Sequence, residues 1–429
     1  MILFKGKTYP SSEQDKILEK LEGNINLTLA GSTLDRERVI SAVDRLSKRI
    51  EAGEFSEFIN GFDIENKDEY IKTAVNVMRR ENVEFRLATE LGGVGDSCEI
   101  QPPYGLKNAQ IIYRPLGVLF HIAAGNVDGL PAFSVLEGLL TGNINILKLP
   151  QADNGISVEI FRRLMEEEPI LSEYVYIFDT PSTDVTAMRK MADMSDGIVV
   201  WGGEGATKAV RALAPSGAKL IEWGHKLGFA YISGYSDKTA ELTALARHIV
   251  DTRQLFCSSC QTIYLDTDSI TDGEKFCEEF LPFLEKAAAE NPVTEIGAVA
   301  EMTLRRYNDE LENAVSGNYG ERRVFQGERC SVTLCNDSAL ELSYMYGNCL
   351  VKCLTRDRLL GELRKAKGYL QTAGLICGDE KRAELTDILM RAGVNRVMTA
   401  GNMSVSFCGE AHDGEYPLRR YMRVVNVES

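Results

Sequence analysis

The sequence predicts an α/β protein with more than one domain. Short apolar segments, among them GVLFHIAA (117–124), INILKLP (144–150) and YVYIFD (174–179), alternate with segments whose apolar residues recur every three or four positions. This alternation is typical of βαβ units, which build a parallel sheet buried on both faces. The chain has 429 residues, which is enough for two or three domains.

The N-terminal part, residues 1–90, is predicted to be a helical region packed on the domain that follows. The segments SEQDKILEKLEG (12–23) and TLDRERVISAVDRLSKRIEAGE (33–54) have the periodicity of amphipathic helices. Thr33 is the expected N-cap of the second helix. A third helical region, from 68 to 91, ends at Gly92 and Gly93.

Two α/β domains are expected after this helical region. The first, residues 91–225, also contains the strands DGIVVWGG (196–203) and AKLIEWG (218–224). The second, residues 226–400, alternates again, with FAYIS (229–233) and CQTIYLD (260–266) as strands and TALARHIVDTR (243–253) as a helix. We expect the domain boundary near EWGHKLG (222–228), and residues 401–429 as a separate C-terminal segment.

Charge and composition argue against several classes of protein. The net charge is −15 and the pI about 5.0, whereas nucleic-acid-binding proteins neutralise phosphates with Lys and Arg. The apolar run Met1–Phe4 is far shorter than a signal-peptide core, and no segment approaches the roughly 18 apolar residues of a membrane span. Ten cysteines scattered through a long chain do not resemble a disulfide framework. We therefore expect a cytoplasmic protein that has no membrane span and binds no nucleic acid.

Asn126 and Lys148 stand at the ends of two predicted strands. The first strand ends near Ala124 and turns through Gly125 and Asn126 into a helix. Ligands of open α/β sheets bind at the carboxyl ends of the strands, where the Asn126 amide can donate to a developing oxyanion. Asn is also common in turns and helix caps, so both interpretations stay open. Lys148 can reach a ribose or a phosphate, or can simply lie in solvent.

Gly202 and Gly203 link a predicted strand to a helix in VVWGGEGATKAVRA (199–212). Backbone N–H groups at such a helix start favour a phosphate. The glycines do not match the dinucleotide pattern G-x-G-x-x-G, because Lys208 occupies the third position, and Glu204 would repel a pyrophosphate. A plain strand-to-helix turn is the alternative interpretation.

Glu222 lies near the end of the apolar strand in KLIEWGHKLG (219–228). A partly buried carboxyl group there would have a raised pKa, which suits acid–base work. Alternatively, Glu222 is a surface residue or pairs with Lys226.

Cys257 and Cys260 form a C-x-x-C pair in RQLFCSSCQTIYLD (253–266). A redox pair normally stands at a helix N-terminus after a strand, whereas this one lies between a predicted helix and a predicted strand. A zinc site needs two more ligands at suitable spacing, which neither the other cysteines nor the four histidines supply, so no metal is expected. The remaining interpretation is a single nucleophilic cysteine, activated as a thiolate by its surroundings.

The order of these parts resembles the aldehyde dehydrogenase superfamily, and within it the fatty-acyl-CoA reductases of the LuxC type. RPLGVLFHIAAGNVDGLP (114–131) with LLTGNINILKLP (139–150) is similar to the signature region of that family. IEWGHKLG (221–228) matches its ELGGK-like segment, and QLFCSSCQTIYL (254–265) its QxxCSSPQ stretch. LQTAGL (370–375) and HDG (412–414) also fit, so that the resemblance covers roughly residues 105–425.

The resemblance implies a catalytic site made of Cys257 as nucleophile, Asn126 as oxyanion donor and Glu222 as the acid–base residue. Cys260 stands where the family often has proline, which implies a packing role. The family's usual E-x-F-G-P segment has no clean match here, so its ribose-binding glutamate is not assigned.

The resemblance also implies the cofactor and the architecture. Lys148 corresponds to the cofactor-contacting lysine, and Gln151, Gly202, Gly203 and Glu222 complete the candidate cofactor-binding set. NAD-preferring relatives often carry glutamate where Gln151 stands, so we expect NADPH, with NADH as the alternative. The implied fold is aldehyde dehydrogenase-like, with a Rossmann-type NAD(P)-binding domain (91–225), a catalytic α/β domain (226–400) and a small oligomerisation element (401–429). A homodimer or homotetramer formed through an added strand follows from the same resemblance.

We therefore expect an acyl-CoA reductase that uses NADPH to convert an acyl-CoA, by resemblance a fatty acyl-CoA, to the aldehyde and free CoA. The acyl group would pass through a thioester with Cys257. An NAD(P)-dependent aldehyde dehydrogenase that oxidises aldehydes to acids is one alternative, and a non-catalytic subunit of a complex is another. The joint presence of Cys257, Asn126 and Glu222 favours an enzyme.

Overall fold

The computed structural model describes residues 1–31, 33–60, 67–95, 99–100, 108–123, 129–151, 153–294, 296–316 and 321–428. The chain forms two compact units, residues 1–224 together with 407–429, and residues 225–406. The first unit includes the N-terminal helices, and the chain returns to it at Phe407, six residues after the predicted start of the C-terminal segment at 401.

Strands and helices alternate through most of both units. The strands are β1 (Ile2–Phe4), β2 (Lys7–Tyr9), β3 (Glu99–Ile100), β4 (Ala109–Pro115), β5 (Val118–Ile122), β6 (Ile144–Lys148), β7 (Val175–Phe178), β8 (Gly197–Trp201), β9 (Lys219–Trp223), β10 (Leu227–Ser233), β11 (Cys260–Leu265), β12 (Arg322–Gln326), β13 (Ser331–Cys335), β14 (Asn348–Cys353), β15 (Leu370–Cys377), β16 (Arg396–Met398) and β17 (Met422–Glu428). The helices are α1 (Gln14–Gly31), α2 (Arg36–Glu51), α3 (Ser56–Asn60), α4 (Lys67–Met78), α5 (Arg80–Leu91), α6 (Leu130–Leu140), α7 (Ile156–Glu167), α8 (Val185–Asp193), α9 (Glu204–Leu213), α10 (Lys238–Asp251), α11 (Ile270–Glu290), α12 (Ile296–Val315), α13 (Arg356–Leu363), α14 (Asp379–Ala392) and α15 (Pro417–Arg420).

The main sheet of the first unit has the order β2-β1-β7-β6-β5-β8-β9. Strands β5 to β9 are parallel, and the β1–β2 hairpin joins β7 antiparallel. The chain moves outward from β5 through β6 and β7, then crosses to the other side of β5 for β8 and β9. This reversal at β5 is the kind of topological switch point at which open α/β sheets bind ligands.

Both faces of this sheet are buried, as the apolar strands predicted. Val118 and Phe120 of β5 pack into the large cluster formed with the N-terminal helices, whereas Leu119 packs into a second cluster on the opposite face. This division follows from the alternation of side chains along a strand. The N-terminal helices therefore contribute to the core of the first unit.

A buried ionic network connects the N-terminal helices to the C-terminal segment. Arg86 of α5 forms ion pairs with Glu90 and with Glu137 of α6, and the Tyr421 hydroxyl donates to Glu137 at 3.0 Å. Burial raises the pKa of Glu137, and Arg86 opposes that effect. One correction concerns α2, which is capped by Asp35 rather than Thr33: the Asp35 side chain accepts the Glu37 N–H at 2.9 Å.

The sheet of the second unit has the order β12-β13-β14-β11-β10-β15-β16. Its strands are parallel except for β12, which pairs antiparallel with β13. The register shifts at the start of β10 against both of its neighbours. The parallel strands all begin at one edge of this sheet, and both register shifts lie at that edge.

A small antiparallel sheet, β17-β4-β3, completes the first unit. Most residues of β17 are exposed, including Val424 and Val427. Within the described part of the chain, no helix combines the length and the apolarity that are needed to cross a bilayer.

Candidate active site

Cys257 lies in a tight turn between α10 and β11. Arg253 and Gln254, which open the turn, have φ values of 50° and 59°, a left-handed conformation that residues other than glycine rarely adopt. The chain then folds back: the Ser259 N–H donates to the Phe256 carbonyl at 3.0 Å, and the Phe256 N–H to Ser259 Oγ at 3.1 Å. Cys257 is half-buried within this turn. Such backbone conformations persist only where the surroundings hold them, often at active sites.

Two buried glutamines hold the turn in place. The Gln254 side chain donates to the Cys260 carbonyl at 2.9 Å and accepts the Gly347 N–H at 3.2 Å. Gln261, on β11, donates to the Gln254 carbonyl at 2.7 Å. The turn is thereby attached both to the strand that follows it and to the start of β14.

Gln371 contacts the sulfur of Cys257 directly. Its side-chain amide donates to Cys257 Sγ at 3.2 Å, and the residue is only 3% exposed. The register shift between β10 and β15 places both Gln371 and Thr372 opposite Gly228, and the shift between β10 and β11 leaves Gln261 as the extra residue. Because bulges redirect side chains, these two irregularities aim two glutamines at the turn.

The turn also rests on the backbone of β10. A Cβ atom at Gly228 would lie 2.5 Å from the Ser259 carbonyl oxygen and 2.8 Å from that of Ser258, so only glycine fits under the turn. Ser258 Oγ is 2.8 Å from Ser404 Oγ, which adds a contact from another segment of the unit. Gly228 of β10 and Ser404 therefore both hold the turn that carries Cys257 in place.

The two cysteines of the C-x-x-C pair have different environments. Cys260 is fully buried on β11, and burial raises the pKa of its thiol to about 12. Its backbone N–H donates to Nε2 of His248 at 3.2 Å, and burial lowers the pKa of that imidazole to about 4. No disulfide links any of the nine described cysteines. Burial therefore disfavours a thiolate at Cys260 and leaves Cys257, the less buried of the two, as the candidate nucleophile.

Lys148 is buried at the carboxyl end of β6, not solvated. It is 6% exposed, its Nζ donates to Ser182 Oγ at 3.0 Å, and burial lowers the pKa of its ammonium group. Gln151 is exposed in the turn that follows. A buried ammonium group at this edge is a suitable donor to the hydroxyl or phosphate groups of a ligand.

Gly202 and Gly203 lie between β8 and α9 at the same edge. Gly203 is the N-cap of α9 and has no side chain to cap it, which leaves the first N–H groups of the helix for a ligand or water. The Gly202 N–H donates to the Trp223 carbonyl at 3.2 Å. The uncapped N–H groups at the start of α9 together with Lys148 fit the phosphate and ribose groups of a dinucleotide, although the exposed carboxylate of Glu204 at the helix start opposes a pyrophosphate.

Glu222 pairs with Arg211 of α9, not with Lys226. Both carboxylate oxygens accept from the guanidinium group, each at 2.6 Å. Lys226 instead donates to the Gly368 carbonyl at 2.8 Å. Acid–base work by Glu222 therefore requires its ion pair with Arg211 to open.

A cluster of aromatic side chains that was not predicted from the sequence lies beside Glu222. Trp201 and Trp223, the last residues of β8 and β9, stack with their ring centroids 5.4 Å apart. The His412 ring lies 5.2 Å from Trp201 and 4.9 Å from Trp223, and the Arg420 guanidinium lies 4.6 Å from the Trp223 ring. The sequence did show a tryptophan at the end of each of two neighbouring strands, and this pattern could have predicted the cluster. The histidine of the cluster belongs to the HDG motif.

The predicted residues thus fall into two groups. Lys148, Gly202 and Glu222 share the carboxyl edge of the parallel sheet in the first unit. Cys257 lies in the second unit with Gln371, a partner the sequence analysis did not name. Asn126 lies outside the described residues.

One acidic cluster in the second unit has the composition of a metal site. Cys335, Asp337 and Glu341 bring their ligand atoms within 4.8 Å of one another. The fully buried Lys352 places its Nζ 2.6 Å from Asp337 and 2.5 Å from Glu341. The cluster is therefore explained by its pairing with the lysine.

Comparison with known proteins gives the family and the fold of the chain. The family model described as "Acyl-CoA reductase (LuxC)" matches residues 32–424. Long-chain acyl-protein thioester reductase 2 of Photobacterium leiognathi is 26% identical over 328 residues, which cover 73% of this chain and 64% of that protein. The long-chain acyl-protein thioester reductase of Vibrio harveyi is 25% identical over 354 residues, 79% of this chain and 69% of that protein. The chain therefore spans slightly less than two thirds of the length of the first relative.

Solved structures share the fold. Aldehyde dehydrogenase 21 of Physcomitrella patens superimposes with a TM-score of 0.71 at 14% identity, covering 98% of this chain and 90% of that one. Glyceraldehyde-3-phosphate dehydrogenase GapN of Methanocaldococcus jannaschii, solved with NADP, gives a TM-score of 0.69 at 13% identity, covering 98% and 95%. The fold is that of the aldehyde dehydrogenases, and the chain belongs to the LuxC family of acyl-CoA reductases.

Proposed function

We propose that this protein reduces a fatty acyl thioester to the aldehyde, with acyl-CoA as the donor and NADPH as the reductant. The observation that carries the proposal is the half-buried Cys257, whose sulfur accepts the Gln371 amide at 3.2 Å in a turn held by β10, β11 and β14. A fixed thiol with a hydrogen-bond donor on its sulfur is suited to covalent catalysis on a thioester. The relatives are by name reductases of acyl-protein thioesters, so an acyl-protein is the second donor to test.

In the first step the Cys257 thiolate attacks the thioester carbonyl. A carbon–sulfur bond forms, and the carbonyl oxygen acquires the negative charge. The backbone N–H of Cys257 and the Asn126 amide are the proposed oxyanion donors, and one such donor contributes about 3 kcal/mol in comparable sites. The tetrahedral adduct collapses, the CoA thiolate leaves with the bonding pair, and the acyl group remains on Cys257. Gln371 stabilises the thiolate before the attack and after the aldehyde departs.

The reduction needs a nicotinamide, which when bound supplies a hydride to the carbonyl carbon of the acyl-enzyme. Lys148, Gln151, Gly202 and Gly203 are the residues proposed to hold that cofactor. Lys148 is already buried and hydrogen-bonded to Ser182, so its ammonium group is positioned before any ligand arrives. The uncharged side chain at Gln151 is the reason for preferring NADPH.

Glu222 is proposed to handle protons after the Arg211 pair opens. The pair is exposed on its arginine side, where 63% of the Arg211 side chain is accessible, so opening it leaves no buried cation unpaired. For the assembly we propose a homodimer or homotetramer formed through β17. Its outer edge and its exposed valines offer a surface to which a second chain can pair.

Two assays separate this function from aldehyde oxidation. Incubation with a fatty acyl-CoA should consume NADPH and release free thiol and aldehyde in equal amounts. Incubation of a fatty aldehyde with NAD or NADP in water should produce little acid. Rapid acid formation without acyl-CoA reduction would instead establish a hydrolytic aldehyde dehydrogenase, and inactivity in both directions would favour a non-catalytic subunit.

A further inference from the structure

A cavity of about 490 Å³ lies in the second unit, apart from Cys257 and its contacts. It is bounded by α12, by the turn after α11 and by residues that precede β13 and β14. Its wall includes three arginines, Arg253, Arg306 and Arg329, and one carboxylate, Glu328. In a chain of net charge −15, this is a local concentration of positive charge.

Arg306 is a buried cation in this wall, and its polar contacts are long. It is 5% exposed, and its Nη1 reaches Asn348 Oδ1 at the long distance of 3.5 Å. Its Nε forms an ion pair with Glu310 Oε1 at 3.5 Å, and neither of these two atoms has a hydrogen-bond partner among the described residues. A guanidinium group has five N–H donors, and burying it without strong partners is costly. A buried guanidinium group with such long contacts therefore favours an anion in the cavity.

The other two arginines differ in burial: Arg253 is buried and Arg329 is exposed. Arg253 donates to the Asn291 backbone carbonyl at 2.9 Å and to Asn291 Oδ1 at 3.0 Å, which connects the cavity wall to the turn of Cys257. Arg329 is exposed and lines the cavity, where it can meet a ligand entering from solvent. The buried Arg306 and the exposed Arg329 provide two separate positions for negative charge.

The cavity and Cys257 lie at the same edge of the second sheet. Gly347 and Asn348 line the cavity at the start of β14, while Gln371, which contacts Cys257, lies at the start of β15. Three strand spacings separate β14 from β15 in the order β14-β11-β10-β15, which is about 14 Å at about 4.8 Å per spacing. A pantetheine arm has the length of an extended peptide of about five residues, roughly 17 Å.

We propose that this cavity binds the phosphate groups of the CoA portion of the thioester donor, so that the pantetheine arm extends along the sheet edge to Cys257. The inference rests on the proposed function, because it assigns the carrier-binding part of the same reaction. Arg306 would pair with a phosphate inside the cavity and Arg329 with one at its opening, since guanidinium groups bind phosphates by paired hydrogen bonds.

The test compares two acyl donors that differ in phosphate. Acyl-CoA carries the phosphates, and the same acyl group on N-acetylcysteamine carries none. Intact-mass time courses give the rate of Cys257 acylation by each donor for the wild type and for Arg306→Gln, Arg329→Gln and Arg305→Gln. Arg305 is the matched control, because it is an exposed neighbour on α12 that does not line the cavity.

Arg306→Gln should slow acylation by subsaturating acyl-CoA about tenfold or more, as expected for losing charge-assisted hydrogen bonds, and should change the phosphate-free donor less than about twofold. Arg329→Gln should act in the same direction and, being a surface substitution, keeps the test available if Arg306→Gln does not fold. Arg305→Gln should change neither rate. Equal losses with both donors, or no loss with acyl-CoA, would overturn the proposal.

Calorimetry with free CoA separates this inference from the proposed function. If neither donor acylates the wild type, the proposed function fails, yet about tenfold weaker CoA binding by Arg306→Gln would still support the cavity as the phosphate site. Equal CoA affinity in wild type and Arg306→Gln, or no CoA binding by the wild type, would contradict it.

Discussion

At the scale of single residues, Gln371 is the side chain whose amide contacts the sulfur of Cys257, the candidate nucleophile. Replacing it with leucine removes the donor on Cys257 Sγ but keeps a side chain of similar size. A hydrogen bond to a charged group contributes about 1.5–3 kcal/mol, so alkylation of Cys257 by iodoacetamide near neutral pH should slow about tenfold or more. The pH midpoint of alkylation should also move upward. Gln110→Leu, at an exposed position on β4, is the matched control, and equal rates for both variants would contradict the assigned role of Gln371.

The sequence predicted Cys257 as a candidate nucleophile but did not predict its contact with Gln371, and the reason is physical. Cys257 lies in a local motif, whereas its hydrogen bond to Gln371 joins residues 114 positions apart. The contact depends on a register shift between strands, which no local pattern encodes. The partner of Glu222 was also not predictable from nearby sequence. Lys226 is only four residues away, but Glu222 pairs with Arg211, which lies on α9.

His121 makes the stability of the first unit depend on pH. It is fully buried between Ser134 Oγ and Asn145 Oδ1, and burial lowers the pKa of its imidazole from 6.5 to about 4. The unfolded chain binds the proton first, so this contribution is complete above pH 6.5 and is lost as the pH falls towards 4. The full loss amounts to about 3 kcal/mol.

Urea unfolding followed by tryptophan fluorescence measures the pH-dependent stability attributed to His121, since both tryptophans, Trp201 and Trp223, belong to the first unit. The free energy of unfolding should fall more steeply between pH 6.5 and 5 in the wild type than in His121→Gln. Parallel curves for the two proteins would show that His121 is not the group responsible.

At the scale of elements, the start of β10 supports the turn that carries Cys257. Gly228→Ala would push a Cβ against the Ser258 and Ser259 carbonyls, and overpacking of this kind typically costs about 1–3 kcal/mol. Because the turn is the part that can shift, acylation of Cys257 should slow about tenfold while the far-UV circular dichroism stays native. Gly297→Ala, on α12 with nothing within 4 Å of the added Cβ, should leave acylation unchanged. Unchanged acylation in Gly228→Ala would contradict this role of β10.

The elements that the sequence predicted are those with strong periodic patterns. The strands from β5 to β11 occur where buried apolar segments indicated them, because a strand covered on both faces must be apolar throughout. The β1–β2 hairpin was not predicted, since strands of three residues are too short to show a period. Ile2 and Leu3 are nevertheless fully buried, so the hairpin is part of the core.

At the scale of the whole molecule, β17 is the proposed surface for self-association. Val424→Arg should lower the molar mass measured by light scattering, because a charge on this exposed strand would be buried in the contact. Val405→Arg is the matched control, since Val405 is also 55% exposed but lies in the second unit. A wild-type monomer, or an unchanged mass for Val424→Arg, would exclude assembly through β17.

The fold as a whole could be predicted from the sequence further than the site could. Strand alternation indicated two α/β units, and the motif order indicated the family. The buried state of Lys148 and the aromatic cluster at Trp201 and Trp223 could not be predicted, because each depends on side chains from separate segments. The environments of the candidate site residues therefore depend more on packing between distant segments than on local sequence patterns.

Intact-mass spectrometry tests most directly whether Cys257 forms the proposed acyl-enzyme. The protein is incubated, without nicotinamide, with a panel of acyl-CoA thioesters and with an acyl-protein thioester. We expect the wild type and Cys260→Ser each to gain one acyl group, released by hydroxylamine, and Cys257→Ala to gain none. Absence of any adduct on the wild type with every donor, or an adduct that persists in Cys257→Ala, would contradict it.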